Sequence, residues 1–459
     1  MTAASGINDP GGSDSVDGEA SEMVLVTPRR PKVRGLQRKL WAAAKQSPDR
    51  RFHALYDRIF RGDFLEEAWK RVRARGGAAG IDRMTLAAVE EYGVERLLAG
   101  LQRDLRAGTY RPSAARRVDI PKPDGGSRPL GIPTVRDRIA QQAARLVLEP
   151  IFEADFLPCS FGFRPRRSAT DACEELRKGF IAGGVWAFEA DIRDCFGQID
   201  HQVLIDALAQ RISDRRVLKL CRKWLEAGVM EAGGDRETVS GTPQGGVISP
   251  LFANVCLHAL DQAFAQGPGM LVRYADDFVV LCATEAEARA AERKARQTLA
   301  ALGLELHPEK TKVVDLREGR EGFDFLGWHF RAKVSGRLME RGIRRYYLHR
   351  WPSVRSMKRL RAKLKAKTGR NRTGVGDIRE VIADLNPILR GWGNYFRTGN
   401  SAVKFNQIDS YVYRRLGGLM RKRHGRNLRP GQWEAWTRAW FWELGLHRLR
   451  GTIRYPGVA

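Results

Sequence analysis

Beyond Cys282 the chain has no cysteine, and the six it has, at 159, 173, 195, 221, 256 and 282, show no Cys-x-x-Cys spacing. That excludes a disulfide framework and a cysteine-built zinc site, and the thiols read as reduced, mostly buried groups of a cytosolic protein. Long apolar runs are missing as well. No stretch approaches the roughly 18 residues a membrane span requires, and residues 1–25 lack the basic-then-apolar order of an export signal. No membrane partner is expected. Acidic residues are scarce in one place only: residues 331–459 hold 31 Lys and Arg against 7 Asp and Glu, an excess of 24. The first 330 residues hold 49 against 46, so nearly all of the formal net charge of +27 lies in the last 129. A cationic block of that kind points to a polyanionic partner, nucleic acid before membrane.

What is present is enough for two or three domains: 459 residues, 43% of them hydrophobic. Residues 1–34 are Gly- and Ser-rich, then basic at the end, and read as a disordered tail. From 35 to 115 a helical period dominates, broken by Arg75-Gly76-Gly77-Ala78-Ala79-Gly80-Ile81-Asp82, a plain interhelical loop by composition. Residues 118–130 read as a hairpin, because Pro123-Asp124-Gly125-Gly126 is turn chemistry between two strand-like arms. Lys122 and Arg128 stand on opposite arms, where both cations can reach one triphosphate. Val135, Ile139, Ala143, Val147 and Ile151 then keep one apolar helical face, which is scaffold. Near the other end, Met357, Leu360 and Leu364 form a stripe on a helix over 353–367 whose remaining surface is crowded with Lys and Arg. Such a helix packs on one side and faces phosphates on the other. Trp351, Trp392, Trp433, Trp436, Trp440 and Trp442 are interleaved with these cations. Most of them are expected in the helical core, although stacking rings beside cations also suit RNA.

The chemistry concentrates at Leu271-Val272-Arg273-Tyr274-Ala275-Asp276-Asp277-Phe278-Val279-Val280-Leu281, two apolar strands joined by a tight turn with adjacent carboxylates at its tip. Asp in a turn by itself needs no further explanation. A third carboxylate in a matching setting changes this: a strand-like run from Trp186 ends at Asp191, and Asp200-His201 opens a helix beyond it. Three acids at neighbouring strand ends repel unless a divalent cation neutralises them, and magnesium suits a few carboxylates plus substrate phosphates. Two such ions serve in-line phosphoryl displacement.

Here a family resemblance enters. Tyr274-Ala275-Asp276-Asp277 resembles the Tyr-x-Asp-Asp signature of reverse transcriptases, and Asp191 through Phe196 their first palm motif. Ser240-Gly241-Thr242-Pro243-Gln244-Gly245-Gly246-Val247-Ile248-Ser249-Pro250-Leu251 is similar to the version encoded by group II introns. Ile388-Leu389-Arg390-Gly391-Trp392-Gly393-Asn394-Tyr395-Phe396 and the basic run 421–426 resemble the maturase-specific region of the same proteins. The resemblance runs from about Arg75 to the end. It implies an α+β right-hand polymerase, with helical fingers extension over 35–115, fingers and palm over 116–332, a basic helical thumb and maturase domain over 333–430, and a Trp-rich basic segment over 431–459. It implies metal binding, two Mg2+ with Mn2+ as the other option, at Asp191, Ile192, Asp276 and Asp277. Asp191 and Asp276 then hold both ions, and Asp277 lies nearer the one that activates the primer. Lys310, in Gly303-Leu304-Glu305-Leu306-His307-Pro308-Glu309-Lys310-Thr311-Lys312, becomes the general acid for the leaving pyrophosphate. Nucleotide binding falls to Lys122, Arg128, Phe196 and Gln244, the Phe196 ring excluding a 2′ hydroxyl. Template and primer contacts fall to Arg164 of Ser160-Phe161-Gly162-Phe163-Arg164-Pro165, to Gly245, and to Gly327 and Trp328 of the primer grip, Gly322-Phe323-Asp324-Phe325-Leu326-Gly327-Trp328. For Arg164 a fold-stabilising ion pair is an equal alternative. The implied partners are intron RNA, a DNA primer or target and deoxynucleoside triphosphates, bound by a monomer or a homodimer.

One departure stands out. Many relatives continue into an endonuclease on a Cys and His metal site, whereas here only His424 and His447 lie beyond residue 400, with no cysteine. Second-strand cleavage is not expected, and priming from a nascent strand at a replication fork is the matching expectation; protein-dependent cleavage of that strand would refute it. Two other functions stay open: an RNA-binding splicing cofactor without polymerase activity, and a reverse transcriptase recruited by a host for defence or repair.

Overall fold

The computed structural model describes residues 30–121, 126–231, 234–236, 245–425, 429 and 431–455. Among them run eleven strands: β1 (Ala115–Pro121), β2 (Ser127–Ile132), β3 (Trp186–Asp191), β4 (Val229–Glu231), β5 (Gly234–Arg236), β6 (Met270–Tyr274), β7 (Asp277–Cys282), β8 (Lys312–Asp315), β9 (Gly322–Phe325), β10 (Trp328–Val334) and β11 (Tyr346–Pro352). They form three sheets, ordered β2-β1-β4-β5, β6-β7-β3-β8 and β11-β10-β9. Helices surround and connect them, so the architecture is mixed helix and sheet.

The central sheet, β6-β7-β3-β8, divides two cores. Side chains alternate along a strand, and in β3 Phe188 and Ala190 join one apolar cluster while Ala187 joins the other. The first cluster is built on the helix Val135–Glu153, whose N-cap Thr134 accepts a hydrogen bond from the Asp137 amide. Val135, Ile139, Ala143, Val147 and Ile151 are all buried, as the sequence period predicts. Helices Arg30–Gln46 and Gly62–Arg75 pack on it. A buried helix of that length fixes the position of the hairpin β1–β2 that precedes it, and the hairpin's register pairs Ile120 with Arg128.

The second cluster lies under the other face of the central sheet. It joins the helix Ala169–Ile181, the sheet β11-β10-β9 and the helices of the basic region. β10 runs across residue 332, close to where the charge of the chain changes. The helix Val354–Lys367 is capped by the Ser353 hydroxyl and buries Met357, Leu360 and Leu364, leaving its cations outward. Helices Ile378–Phe396 and Ala402–His424 complete the layer. Trp436 is buried and Trp351, Trp392, Trp440 and Trp442 are half-buried, so these rings serve mainly as core. All six cysteines are free thiols, five of them buried. Among the described residues no helix is long and apolar enough to cross a membrane.

Candidate active site

The site is built by strand register. β3 and β7 are antiparallel neighbours, and their pairing sets Asp191 directly opposite Asp277. β6 and β7 are joined by the two-residue turn Ala275 and Asp276, since Tyr274 pairs with Asp277. Ala275 adopts a left-handed φ of 60° to make so short a return. The carbonyl of Asp276 accepts from the Ile192 amide at 3.3 Å, which ties the turn to the end of β3. On the other side the Asp191 carbonyl accepts from the His307 amide at 2.8 Å, and Ile192 bridges to Leu306. A short helical turn, Pro308–Lys310, follows and delivers Lys310, which is ion-paired with Asp191. Three carboxylates and one ammonium therefore share one edge of the sheet. Burial first, then the neighbouring Asp191 and Asp276 charges, push the Asp277 carboxyl up to about 8.

A buried network from below holds the turn. The Arg273 side chain is fully buried, and its guanidinium grips Asp261 bidentately at 2.7 and 2.6 Å. It also donates to Asn254 at 3.2 Å, to the Ser160 hydroxyl at 2.8 Å and to the carbonyl of Ala275 at 3.0 Å. Burial works to raise the Asp261 carboxyl, but the Arg273 charge and hydrogen bonds outweigh it and hold it below the usual range. Asn254 in turn donates to the carbonyl of Gly162 at 2.8 Å. A Cβ on Gly162 would meet the Ala275 amide nitrogen at 2.3 Å, so this loop and the carboxylate turn touch backbone to backbone. Sequence reasoning passed over Arg273 as one more strand residue. A charge inside an apolar strand, with Asp261 inside an apolar helix, was the signal to follow.

The other expected residues fall into three groups. Gly245 lies beside β2, and a cavity of about 320 Å3 shared with Arg75, Gly77, Gly131 and Arg138 brings the glycine-rich break of the N-terminal region to the same place. Phe196, 8% exposed, lies in the short helix Cys195–Gln198, and its ring meets the exposed ring of Phe163 edge-on at 6.4 Å. Gly327 occupies the turn between β9 and β10 with φ 78°. Lys122 and Gln244 lie outside the described residues, and Arg128 is placed by its backbone alone, opposite Ile120.

Two residues face inward instead. The side chain of Arg164 is buried, bonded to Glu153 at 3.0 Å and to the carbonyls of Leu157 and Ser160 at 2.7 and 2.9 Å. Its donors are spent on closing a loop, which leaves the fold-stabilising alternative for this residue in place of a template contact. Trp328 is 1% exposed, with Phe396 at 4.7 Å and the Arg350 guanidinium over its ring at 5.3 Å. A ring so enclosed anchors the turn before it and does not reach a primer.

Among the described residues, no three His, Cys, Asp or Glu side chains converge in a ready metal-holding cluster. The donor set nevertheless suits a hard divalent cation: carboxylates at 191, 276 and 277 beside the backbone of Ile192. Burial first, and the Asp191 and Asp276 charges after it, raise the Asp277 carboxyl, and a bound cation would counter both.

Carboxylates paired across a sheet edge, a lysine on one of them and a basic helical layer behind define a protein that handles the phosphates of nucleic acids. Comparison with known sequences narrows the class. The family described as "Reverse transcriptase (RNA-dependent DNA polymerase)" matches residues 120–330, and "Group II intron, maturase-specific domain" matches residues 357–440. The chain is 35% identical to Protein YkfC of Escherichia coli K12 over 342 residues, 65% of this chain and 88% of that protein. It is 38% identical over 226 residues to "Group II intron-encoded protein LtrA" of Lactococcus lactis subsp. cremoris, covering 49% of this chain and 37% of LtrA. A protein encoded in the cob intron of Schizosaccharomyces pombe is 28% identical over 378 residues, 46% of its length. The chain belongs to the family of group II intron-encoded reverse transcriptases with a maturase domain. That family normally uses divalent metal ions, and its two domains imply nucleic acid and nucleotide partners.

Proposed function

We propose that this chain copies RNA into DNA with a right-hand polymerase whose palm is the central sheet, and that its C-terminal third holds the RNA of a group II intron during splicing and mobility. The fingers are the N-terminal helices and the hairpin β1–β2; the thumb begins with the helix Val354–Lys367. The observation that carries the reading is the register that sets Asp191 opposite Asp277 with Asp276 on the adjoining turn.

In this reading Asp191, Asp276, Asp277 and the backbone of Ile192 hold the metal ions, Mg2+ by preference. Bound there, divalent ions make the primer hydroxyl a better nucleophile and stabilise the departing pyrophosphate. The residues of the chain supply the rest. Lys122 and Arg128 hold the triphosphate from two hairpin arms, and Gln244 and Gly245 border the nucleotide and the template base. Phe196, with its ring almost covered, closes the space that a 2′ hydroxyl would need. Lys310 releases Asp191 and gives its proton to the pyrophosphate as the new bond forms. The turn at Gly327 supports the primer terminus. Outside the sheet edge, the outward cations of the helix Val354–Lys367 and of residues 421–423 face phosphate.

Primer extension on an RNA template with magnesium and deoxynucleotides tests the proposal. Asp276→Ala should lower extension by about 10²–10³-fold or more while the protein still binds RNA. If neither wild type nor variant extends a primer and both bind intron RNA tightly, the chain is a splicing cofactor on a polymerase fold.

A further inference from the structure

The turn between β9 and β10 has an unusual construction. β9 ends at Phe325 and β10 starts at Trp328, and these two residues pair. The whole return is made by Leu326 and Gly327, with φ of 51° and 78°. Glycine takes that conformation freely; leucine does not, because its Cβ crowds the following carbonyl. A leucine at the first position of so tight a turn persists only where its surroundings hold it. The β-ladder does not supply that hold. The Tyr395 hydroxyl donates to the Leu326 carbonyl at 2.8 Å, and the Ser356 hydroxyl donates to the Gly327 carbonyl at 2.8 Å, helped by the Ser353 amide at 3.0 Å. Both outward carbonyls of the turn are thus held by side chains of the basic helical region, from the start of the helix Val354–Lys367 and the end of Ile378–Phe396.

Tyr395 is well set for that task. Its ring lies 6.0 Å from that of Trp328, the residue that follows the turn, and 4.8 Å from that of Phe396. Burial, then the neighbouring Cys173 and Tyr274, push its phenol well above the ordinary tyrosine range, so the hydroxyl remains a donor throughout the working pH. Tyr274, whose influence on the phenol is among those causes, immediately precedes the Ala275–Asp276 return. The contact also crosses between two matched segments, for Tyr395 lies within 357–440 and Leu326 within 120–330.

We infer that Tyr395 is a positioning residue for polymerisation: its hydroxyl, with that of Ser356, holds the strained Leu326–Gly327 turn in the shape that sets the primer terminus against the carboxylates. The inference rests on the proposed role of this turn in supporting the primer. It makes the maturase-specific helix a part of the polymerase site, acting through the turn without touching substrate.

Tyr395→Phe removes one hydroxyl and leaves the ring. In steady-state primer extension kcat should fall about tenfold, the worth of one such hydrogen bond, while the KM for deoxynucleotide, the affinity for intron RNA and the thermal midpoint stay at their wild-type values. Adding Leu326→Asn, a residue that tolerates left-handed backbone, should restore most of the lost kcat. A loss of thermal stability without a change in kcat, or a double variant no faster than Tyr395→Phe, overturns the inference. Gly327→Ala separates the two layers of the argument, since its Cβ would meet the Ser356 hydroxyl at 2.9 Å on a positive-φ backbone. If Gly327→Ala cripples extension and Tyr395→Phe does not, only the role of Tyr395 fails. If Gly327→Ala extends primers normally, the turn is not at the primer terminus and both fail.

Discussion

Two hairpin returns of this molecule are held in opposite ways. The return at Ala275 and Asp276 and the return at Leu326 and Gly327 each place a non-glycine residue in left-handed backbone, at φ 60° and 51°. The first is tied from beneath by a fully buried guanidinium paired with a fully buried carboxylate. The second is tied from outside by two neutral hydroxyls on helices of another region. A charge pair in low dielectric is strong but intolerant, because losing either partner strands the other. Neutral hydrogen bonds near solvent are worth much less and can be exchanged with water. The carboxylate turn is therefore tied more firmly than the Leu326–Gly327 turn, whose ties depend on where the basic helices stand. On the proposed reading, that division of labour would keep the carboxylates constant while different primers and RNAs pass.

The sharpest way to break the contrast is to strand Arg273. Asp261→Ala should cost about 3–5 kcal/mol of stability, measured by urea unfolding, because the guanidinium keeps its charge with no counter-ion. A loss below about 1 kcal/mol would mean the network is no more than ordinary packing. Next in size, Lys310→Gln should lower kcat about 10²-fold with primer binding unchanged. A rate near wild type would remove Lys310 from proton transfer and leave it a counter-ion to Asp191.

Asp277 gives a prediction with a sign. Its carboxyl, raised to about 8 in the folded chain, titrates near 4 when unfolded. Between those values the folded state binds the extra proton, so the stability of the metal-free chain falls as pH rises from about 4 to about 8. Asp277→Asn removes that proton linkage. Thermal midpoints in a chelating buffer should decline less with pH in the variant than in the wild type over this window. Parallel curves would show that the repulsion among the three acids is relieved by other means.

What the sequence disclosed follows from this contrast between local and distant control. The meeting of Asp191 with Asp276 and Asp277 at neighbouring strand ends was legible because the strand pattern stops at those residues; that Asp277 opens β7 opposite Asp191, and does not sit at the tip of the turn with Asp276, was not. The stripe of Met357, Leu360 and Leu364 and the face of the helix Val135–Glu153 were legible because helical period is local. The Arg273 network was not, since its partners Asp261, Asn254 and Ser160 come from a helix and a loop that only tertiary packing brings together. Between the two readings of Arg164 the sequence could not choose, and Trp328 points inward, for the same reason: a motif gives a residue's address, whereas the direction of its side chain depends on distant neighbours such as Glu153 and Phe396. The hydroxyls of Tyr395 and Ser356 carry no pattern of their own in the chain. Their importance arises from the strain in a turn they approach from outside.

Ser356 offers the finest test of the Leu326–Gly327 return. Its hydroxyl shares the Gly327 carbonyl with the Ser353 amide, so removing it leaves one donor in place, unlike the single hydroxyl on Leu326. The helix cap survives as well, because the Ser353 hydroxyl accepts from the Ser356 amide whatever side chain follows. Ser356→Ala should therefore lower kcat only about two- to threefold, with little change in thermal midpoint. If its loss matches that of Tyr395→Phe, the two carbonyls are held as one unit, and the Leu326–Gly327 turn is as firmly tied as the carboxylate turn.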